Sequence, residues 1–261
     1  TKPLLTNTTT DMPARKKTTK APGEGMTAKQ KKRRKPIDEA YMIPVEPLTH
    51  NQQVMFDEWD KGQMIYAYGV AGTGKTFVAL YKALKDVLND YTPYEKIYIV
   101  RSLVATREIG FLPGDHEDKS SLYQIPYKNM VQSMFEMPDD ASYEMLYDNL
   151  KQQETISFWS TSFIRGTTLD NAIIIIDECQ NLNFHELDSI ITRVGQDSKI
   201  VFCGDAAQTD LQKISERTGI IDFQRILQNM PEFAMVEFGI EDIVRSGLVK
   251  SYLINKINLG L

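Results

Sequence analysis

The sequence predicts an α/β domain in which a mainly parallel β-sheet is covered by helices on both faces. From residue 46 onward, short apolar runs alternate with longer amphipathic segments, which is the pattern of strands that alternate with helices. Four consecutive isoleucines at 173–176 fit a strand buried on both faces, as in a parallel sheet between two helical layers. A glycine-rich segment, GVAGTGKT at 69–76, stands between an apparent strand and an apparent helix. These observations agree on one doubly wound domain over residues 46–261.

The first forty residues differ in composition from the rest of the chain. They hold eleven lysines and arginines against four acidic residues, although the whole chain has a formal net charge of -5. With few large apolar side chains, this stretch cannot offset the entropy lost on ordering, so we expect a disordered basic tail over residues 1–45. The cluster KQKKRRK at 29–35 predicts an anion-binding arm, and a solubilising leader is the alternative. The acidic remainder disfavours a broad nucleic-acid-coating surface, so any nucleic-acid contact there must be local.

The sequence lacks the features typical of membrane-spanning, secreted and zinc-binding proteins. No run approaches the roughly 20 apolar residues that cross a bilayer, and the first residues lack the apolar centre of a secretory signal. We therefore expect a cytoplasmic protein without a membrane partner. Cys179 and Cys203 end apolar runs, where reduced thiols behave as small hydrophobes. The three histidines are scattered without metal-ligand spacing, so zinc is not expected.

The elements follow one another as strands and helices in alternation. Strands are predicted at 64–68, 97–100, 156–159, 172–176, 200–203 and 235–238. Apolar residues at helical spacing predict helices at 52–60, 77–89, 122–136, 142–153, 184–194, 219–230 and 241–255. No internal repeat is present, which agrees with a single domain.

The segment GVAGTGKT satisfies the pattern G-x-x-x-x-G-K-[ST] of a phosphate-binding loop (P-loop), and its place between a strand and a helix is the context that the pattern requires. Glycines let backbone N–H groups approach phosphate oxygens, and the N-terminus of the following helix favours anions. Lys75 is positioned to reach the β- and γ-phosphates, and the Thr76 hydroxyl to ligate Mg²⁺. The residues predicted to bind ATP in this loop are Gly69, Val70, Ala71, Gly72, Thr73, Gly74, Lys75 and Thr76.

Asp177 and Glu178 follow the four isoleucines in the stretch IIIIDECQN. A carboxylate at the end of a central strand is suited to hold Mg²⁺, and an adjacent glutamate to polarise the attacking water. A kinase acting on small molecules needs the metal-side acid but not a neighbouring acid for water, so the pair favours hydrolysis. A solvated acidic strand end is the alternative interpretation.

A third motif, GDAAQTDL at 204–211, follows the next apolar run. A strand-end glutamine such as Gln208 can contact the γ-phosphate and couple its loss to movement. A simple turn is the alternative.

These motifs occur in an order that resembles the PhoH-like ATPases, a family related to the ATPase core of superfamily 1 helicases. The matching segments are LTHNQQ (48–53), GVAGTGKT, IGFLPGD (109–115), FIRGTTLDNAIIIIDECQN (163–181), SKIVFCGDAAQTDL (198–211) and EDIVRSGLV (241–249). The resemblance implies a single RecA-like P-loop domain that binds ATP and Mg²⁺. It also implies the roles of individual residues: Gln52 on the adenine side, Lys75 and Thr76 at phosphate and Mg²⁺, Asp177 as the metal-side acid, Glu178 as the catalytic glutamate, Gln208 as the γ-phosphate sensor and Arg245 as the arginine finger.

Two departures from the family pattern leave this chemistry intact. Arg101 is followed by Ser102 where family members often have Arg-Pro, and Cys179 stands where alanine is common. Some relatives carry an N-terminal nuclease domain of the PIN type, which a basic segment of 45 residues cannot form, so nuclease activity is not expected.

A superfamily 1 helicase closes its ATP site with a second RecA-like domain, for which this sequence has no room. We therefore expect a neighbouring subunit to complete the site in a head-to-tail ring, a hexamer by analogy with RecA-like assemblies, with Arg245 acting across the subunit boundary. Arg101, Arg107 and Arg165 fall between motifs, where family helicases contact the phosphate backbone. Ordinary surface ion pairing is the alternative for these three arginines.

The sequence thus predicts a Mg²⁺-dependent ATPase coupled to binding or translocation on single-stranded nucleic acid, with RNA favoured. Two other classes stay open. One is a nucleotide-gated recruitment module with slow hydrolysis and no helicase activity. The other is a small-molecule kinase, which would transfer phosphate to an acceptor instead of releasing it.

Overall fold

A computed structural model describes residues 37–101, 116–164, 166–205 and 214–260, which form six strands and eight helices. The strands are β1 (Met64–Gly69), β2 (Lys96–Arg101), β3 (Ile156–Ser160), β4 (Ala172–Asp177), β5 (Lys199–Cys203) and β6 (Phe233–Phe238). The helices are α1 (His50–Asp60), α2 (Lys75–Leu88), α3 (His116–Gln132), α4 (Asp140–Gln152), α5 (Thr161–Ile164), α6 (Phe184–Ile191), α7 (Ile214–Gln228) and α8 (Gly247–Asn258). Short 3₁₀ turns lie at Glu39–Tyr41, Cys179–Asn181 and Ile240–Asp242. All six predicted strands are confirmed.

The six strands form one sheet in the order β3-β2-β4-β5-β1-β6, and every paired strand is parallel to its neighbour. The prediction of a doubly wound α/β domain with a parallel sheet is confirmed. Parallel strands place their carboxyl ends at one edge, so the segments after β1, β4 and β5 meet there. Strand β5 lies between β1 and β4, and one strand therefore separates the phosphate-binding loop from the acidic pair.

The isoleucines of β4 show how the sheet divides the core. Ile173 and Ile175 pack into the apolar cluster that includes α1, α2, α3 and α4, whereas Ile174 and Ile176 pack into the cluster beneath α6 and α7. Side chains alternate between the two faces of a strand. Since all four are buried, both faces of the sheet are covered by helices, as the sequence predicts.

Local side-chain hydrogen bonds explain where several helices begin. Thr49 precedes α1 and its hydroxyl accepts a hydrogen bond from the Gln52 N–H. Asn183 and Glu186 form a reciprocal capping box at the start of α6. Helix α2 begins differently, after Gly74 in the left-handed conformation, and its first N–H groups have no side-chain cap. Those N–H groups are therefore available for an anion.

The predicted helix at 241–255 is wrong in its first part. The chain makes a 3₁₀ turn at Ile240–Asp242, and the helix begins at Gly247. The Asp242 carboxylate accepts a hydrogen bond of 2.8 Å from the Gly239 N–H, and the Val244 N–H donates to the Gly72 carbonyl at 3.1 Å. The Val244 N–H is thereby used to brace the phosphate-binding loop, and it does not enter a helical ladder.

The folded unit begins before the predicted boundary at residue 45. Ile37 and Met42 are buried in the core, and the Val45 N–H donates to the Tyr81 hydroxyl at 3.1 Å. Ile37 closely follows the basic cluster and precedes Asp38 and Glu39 in the sequence, so composition alone does not mark it as a core residue. Among the described residues, no helix has the length and apolar character needed to cross a bilayer.

Candidate nucleotide-binding site

The P-loop connects β1 to α2 at the carboxyl edge of the sheet. Gly69, Gly72 and Gly74 all have positive φ, of 121°, 75° and 85°, which residues with a Cβ rarely adopt. The loop is braced from behind by β6 and the segment after it: Val70 N–H donates to the Phe238 carbonyl at 2.9 Å. A Cβ at Gly69 would lie 2.2 Å from that carbonyl oxygen, so only glycine fits there.

Lys75 lies inside the loop that precedes it. Its Nζ donates to the Val70 carbonyl at 2.6 Å and to the Thr73 hydroxyl at 3.3 Å, and the residue is only 8% exposed. Burial lowers the pKa of Lys75, and nearby carboxylates, chiefly that of Asp205, oppose this effect. The ammonium group is thus held at the centre of the loop by two neutral oxygens.

Thr76 and Asp177 meet across β5. The Thr76 hydroxyl donates to Asp177 Oδ1 at 2.7 Å, and the Tyr127 hydroxyl donates to Asp177 Oδ2 at 2.6 Å. Burial raises the pKa of Tyr127 well above its ordinary value, so this hydroxyl stays a donor. Tyr127 was missed by the sequence analysis, because a buried tyrosine in a predicted helix is indistinguishable from a core residue there.

Glu178 stands in an uncommon backbone conformation, with φ 53° and ψ 40°. A non-glycine residue in this left-handed region stores strain of the kind found at functional sites. Arg101 Nη2 lies 3.7 Å from its Oε1, and Gln180 Nε2 donates to its Oε2 at 2.6 Å. The side-chain amide oxygen of Gln180, Oε1, in turn accepts from the Asp205 N–H at 2.9 Å. Gln180 therefore links the end of β4 to the segment after β5, a role that the sequence analysis did not assign.

Gln52 lies behind the P-loop and is 5% exposed. Its amide nitrogen donates to the Thr73 carbonyl at 2.9 Å, and its amide oxygen accepts from the Leu48 N–H at 2.8 Å. Both polar ends of the side chain are thus used to tie the start of α1 to the loop. The predicted adenine-side role of Gln52 stays a prediction.

Asp242 joins the same region to the segment after β6. This residue is fully buried, and its Oδ2 accepts from the Asn51 amide at 2.7 Å as well as from Gly239 N–H. Burial acts to raise the pKa of Asp242, but hydrogen bonds from Asn51, Thr49 and Gly239 outweigh it and lower the pKa. The three segments around the loop are therefore cross-linked by Gln52, Asn51 and Asp242.

Arg245 lies against the P-loop of its own chain. A Cβ at Gly72 would come within 3.0 Å of the Arg245 Cγ and 3.3 Å of its Nε. Arg101, predicted to contact nucleic acid, is placed beside Glu178. The other predicted residues, Gln208, Arg107 and Arg165, lie outside the described residues.

The oxygen ligands at this edge fit Mg²⁺ together with nucleotide phosphates. Mg²⁺ is usually bound by one or two carboxylates plus substrate phosphates, and Thr76 with Asp177 supplies a hydroxyl and a carboxylate next to the loop. Within the described ranges, no group of three or more His, Cys, Asp or Glu residues forms a metal cage of its own. Cys179 and Cys203 are buried and free, in agreement with their prediction as small hydrophobes, and burial raises the pKa of Cys179 to about 12.

Known proteins resemble this chain in sequence. A PhoH-like protein from Mycobacterium leprae is 32% identical over 206 residues, which are 78% of this chain and 56% of the relative. A PhoH-like protein from Bacillus subtilis is 31% identical over 190 residues, or 72% of this chain and 56% of the relative. The Pif1 helicase from Candida albicans has a TM-score of 0.41 and 16% identity, covering 83% of this chain and 44% of that one. That structural likeness is too weak to extend the assignment.

The chain spans about half the length of these curated relatives. The PhoH family model, described as PhoH-like protein, matches residues 44–255, which include the P-loop, the acidic pair and Arg245. This match covers most of the chain and agrees with the six-stranded parallel sheet and with the motif order. The chain therefore belongs to the PhoH-like protein family.

Proposed function

We propose that this domain binds ATP with Mg²⁺ and hydrolyses it. The observation that carries the proposal is the hydrogen bond of 2.7 Å between Thr76 and Asp177, with Lys75 on the adjoining loop. It places a hydroxyl, a carboxylate and an ammonium group where the N-terminus of α2 exposes its first N–H groups. Phosphoryl-transfer sites of the P-loop class are built from these parts.

Each group has a role that follows from its position. The N–H groups of the P-loop and Lys75 bind the β- and γ-phosphates, and Thr76 with Asp177 holds Mg²⁺. The metal ion supplies charge neutralisation to the phosphate oxygens. Glu178 orients and polarises the attacking water, with Gln180 holding one of its oxygens. Gln208 keeps its proposed role as sensor of the γ-phosphate.

Gln52 has two roles in the proposal. It contacts the adenine side of the nucleotide, and its hydrogen bond to the Thr73 carbonyl holds the P-loop against α1. Binding of the base would thereby act, through Gln52, on the loop that binds the phosphates.

Arg245 neutralises charge that develops on the transferred phosphoryl group. The packing of its side chain on Gly72 of the same chain favours action within its own site over the predicted action on a neighbouring subunit. We therefore propose that each site is served by the arginine of its own chain, with the same role in charge neutralisation.

We also propose that hydrolysis is coupled to single-stranded nucleic acid, with RNA favoured. By analogy with RecA-like proteins, we propose that the chain assembles into a hexameric ring. Helix α8 supports assembly, because none of its residues is buried and Leu248 and Tyr252 are 83% and 64% exposed on one face. An apolar helix face next to the nucleotide site is typical of a surface that a partner covers. The basic residues of the first forty positions supply the attraction to phosphates.

An ATPase assay with and without RNA and DNA oligonucleotides tests this function. Release of free phosphate that increases with single-stranded RNA is the expected result. Slow release that no oligonucleotide changes would favour a nucleotide-gated recruitment module. Phosphate transfer to a small acceptor, without release, would identify a kinase and overturn the proposal.

A further inference from the structure

Both carboxylate oxygens of Glu178 are engaged by side chains of the same protein. Arg101, the last residue of β2, places Nη2 3.7 Å from Oε1, and Gln180 donates to Oε2 at 2.6 Å. The register of the sheet pairs Arg101 with Asp177, so the arginine stands directly beside the acidic pair. A glutamate that polarises water must offer one oxygen to that water at hydrogen-bond distance. The arginine competes with such a water for Oε1, whereas Gln180 occupies Oε2.

Gln180 is held in place beside Glu178 more firmly than Arg101 is. Gln180 is 5% exposed and is fixed at its other end by the Asp205 N–H at 2.9 Å. Arg101 makes a longer contact with Glu178, and the two side chains keep 34% and 38% of their surface exposed. The guanidinium also interacts with Tyr127 and Asp177. Ion pairs between partly exposed side chains are weak and are readily exchanged for other partners. Of the two contacts to Glu178, that of Arg101 is thus the more readily exchanged.

A phosphate is a suitable competitor for the Arg101 guanidinium. The planar guanidinium binds phosphate and carboxylate in the same two-pronged geometry, so one ligand can replace the other without a change of shape. The arginine ends a strand at the carboxyl edge of the sheet, and its partial exposure leaves it within reach of a bound ligand.

We propose that Arg101 restrains Glu178 in the nucleic-acid-free protein, and that a phosphate of single-stranded nucleic acid draws Arg101 away and releases Glu178 Oε1 for water. Gln180 then keeps the freed carboxylate in its orientation. Both are positioning residues that act through Glu178. The inference rests on the proposed ATPase function and names how nucleic acid regulates that site.

Substitutions at Arg101 and Gln180, which should have opposite effects on the Glu178 carboxylate, test this inference. Phosphate release is measured at a range of ATP concentrations, with and without single-stranded oligonucleotides, for the wild type, Arg101→Ala, Arg101→Lys and Gln180→Ala. Arg101→Ala should raise the nucleic-acid-free kcat by about two- to fivefold, the range expected from loss of one partly exposed ion pair. It should leave KM for ATP unchanged and abolish the stimulation by oligonucleotide. Gln180→Ala should lower kcat in both conditions, and Arg101→Lys should restore part of the stimulation.

Lys96→Ala is the matched control, because it removes a cation and an ion pair with Glu154 from the opposite end of the same strand. It should reproduce the wild-type kinetics. Thermal unfolding of all variants separates these effects from loss of structure.

Three results would overturn the inference, and they differ from failure of the proposed function. A nucleic-acid-free kcat that is unchanged or lower in Arg101→Ala rules out the restraint. A raised KM for ATP in that variant would show that Arg101 binds the nucleotide phosphates. A gain in kcat in Arg101→Ala, with stimulation by oligonucleotide fully retained, would show that nucleic acid is not the ligand that draws Arg101 away from Glu178. Absence of phosphate release from the wild type under every condition would refute the proposed hydrolysis itself.

Discussion

The Thr76 hydroxyl donates a hydrogen bond of 2.7 Å to Asp177 Oδ1, although strand β5 separates the strands that lead to these two residues. Thr76 follows β1 and Asp177 ends β4, and parallel strands bring both to the same edge. The contact joins the P-loop directly to the proposed metal-side acid. Neighbouring residues on the two segments, Lys75 and Glu178, should therefore act on the same bound nucleotide at different stages.

Substitutions at Lys75 and Glu178 should separate binding from hydrolysis. Lys75→Ala removes the ammonium group at the centre of the loop and should abolish nucleotide binding or turnover. Glu178→Gln keeps the loop intact and should bind ATP while lowering kcat by about 10²–10⁴-fold, the usual contribution of a general base. Equilibrium binding of a fluorescent ATP analogue together with phosphate release distinguishes the two. Equal loss of binding in both variants would contradict these roles.

Tyr127→Phe should destabilise the folded domain. The substitution keeps the ring and removes the hydroxyl that donates to Asp177 Oδ2 at 2.6 Å, leaving a buried carboxylate oxygen without that donor. The expected loss of unfolding free energy is about 1–3 kcal/mol. Urea unfolding measures it, and Tyr91→Phe is the control, because Tyr91 is 98% exposed. A loss no larger than that of the control would show that the hydroxyl contributes nothing to stability.

The sequence predicted the motifs of this site more fully than the contacts that hold them. Lys75, Thr76 and Asp177 belong to local patterns next to apolar strands, so their meeting at one sheet edge follows from strand order alone. Asn51 and Asp242 are 191 positions apart, and Tyr127 and Asp177 are 50 apart. No local periodicity identifies such pairs, because each residue alone fits a surface turn or a core position. The motif around Arg245 is evident in the sequence, but the packing of Arg245 on Gly72 can be recognised only in the folded structure.

Removal of residues 1–34 should weaken nucleic-acid binding, mostly at low salt. This deletion spares Ile37 and Met42, which are part of the core. A basic segment acts through release of counterions from the nucleic acid, so its loss should reduce the slope of log affinity against log salt concentration. Fluorescence anisotropy with a labelled oligonucleotide at several salt concentrations measures the slope. Turnover without nucleic acid should not change, and an unaltered affinity and slope would refute the anion-binding role.

Lys199 should make stability depend on alkaline pH. Its Nζ donates to the Trp59 carbonyl at 3.0 Å, and burial lowers the pKa of Lys199 to about 8, against the opposing effect of Asp86. The unfolded chain keeps the ordinary lysine pKa of about 10.4, so between about pH 8 and pH 10 the unfolded state binds more protons. The contribution of Lys199 to the free energy of unfolding should therefore rise with pH across that window.

Lys199→Met should remove this contribution. The difference in unfolding free energy between the wild type and the variant should shift in favour of the wild type by about 1–3 kcal/mol between pH 7 and pH 10. Urea unfolding at both pH values measures it, and the common background of other lysines and tyrosines cancels in the difference. If the unfolding free energies of the wild type and the variant change with pH in parallel, Lys199 titrates as an exposed lysine does.

Arg245→Ala should bind ATP but hydrolyse it very slowly, because neutralisation of charge on the transferred phosphoryl group contributes about 10³–10⁵ in rate in related sites. The packing of Arg245 on Gly72 of its own chain predicts that this arginine serves its own site. A mixture of Arg245→Ala and Glu178→Gln subunits should then stay inactive, since every subunit lacks one of the two groups. Exchange of subunits is confirmed by energy transfer between differently labelled proteins. Activity that reappears in the mixed assembly would instead show that Arg245 completes the site of a neighbour, because only then does an intact Glu178 meet an intact Arg245.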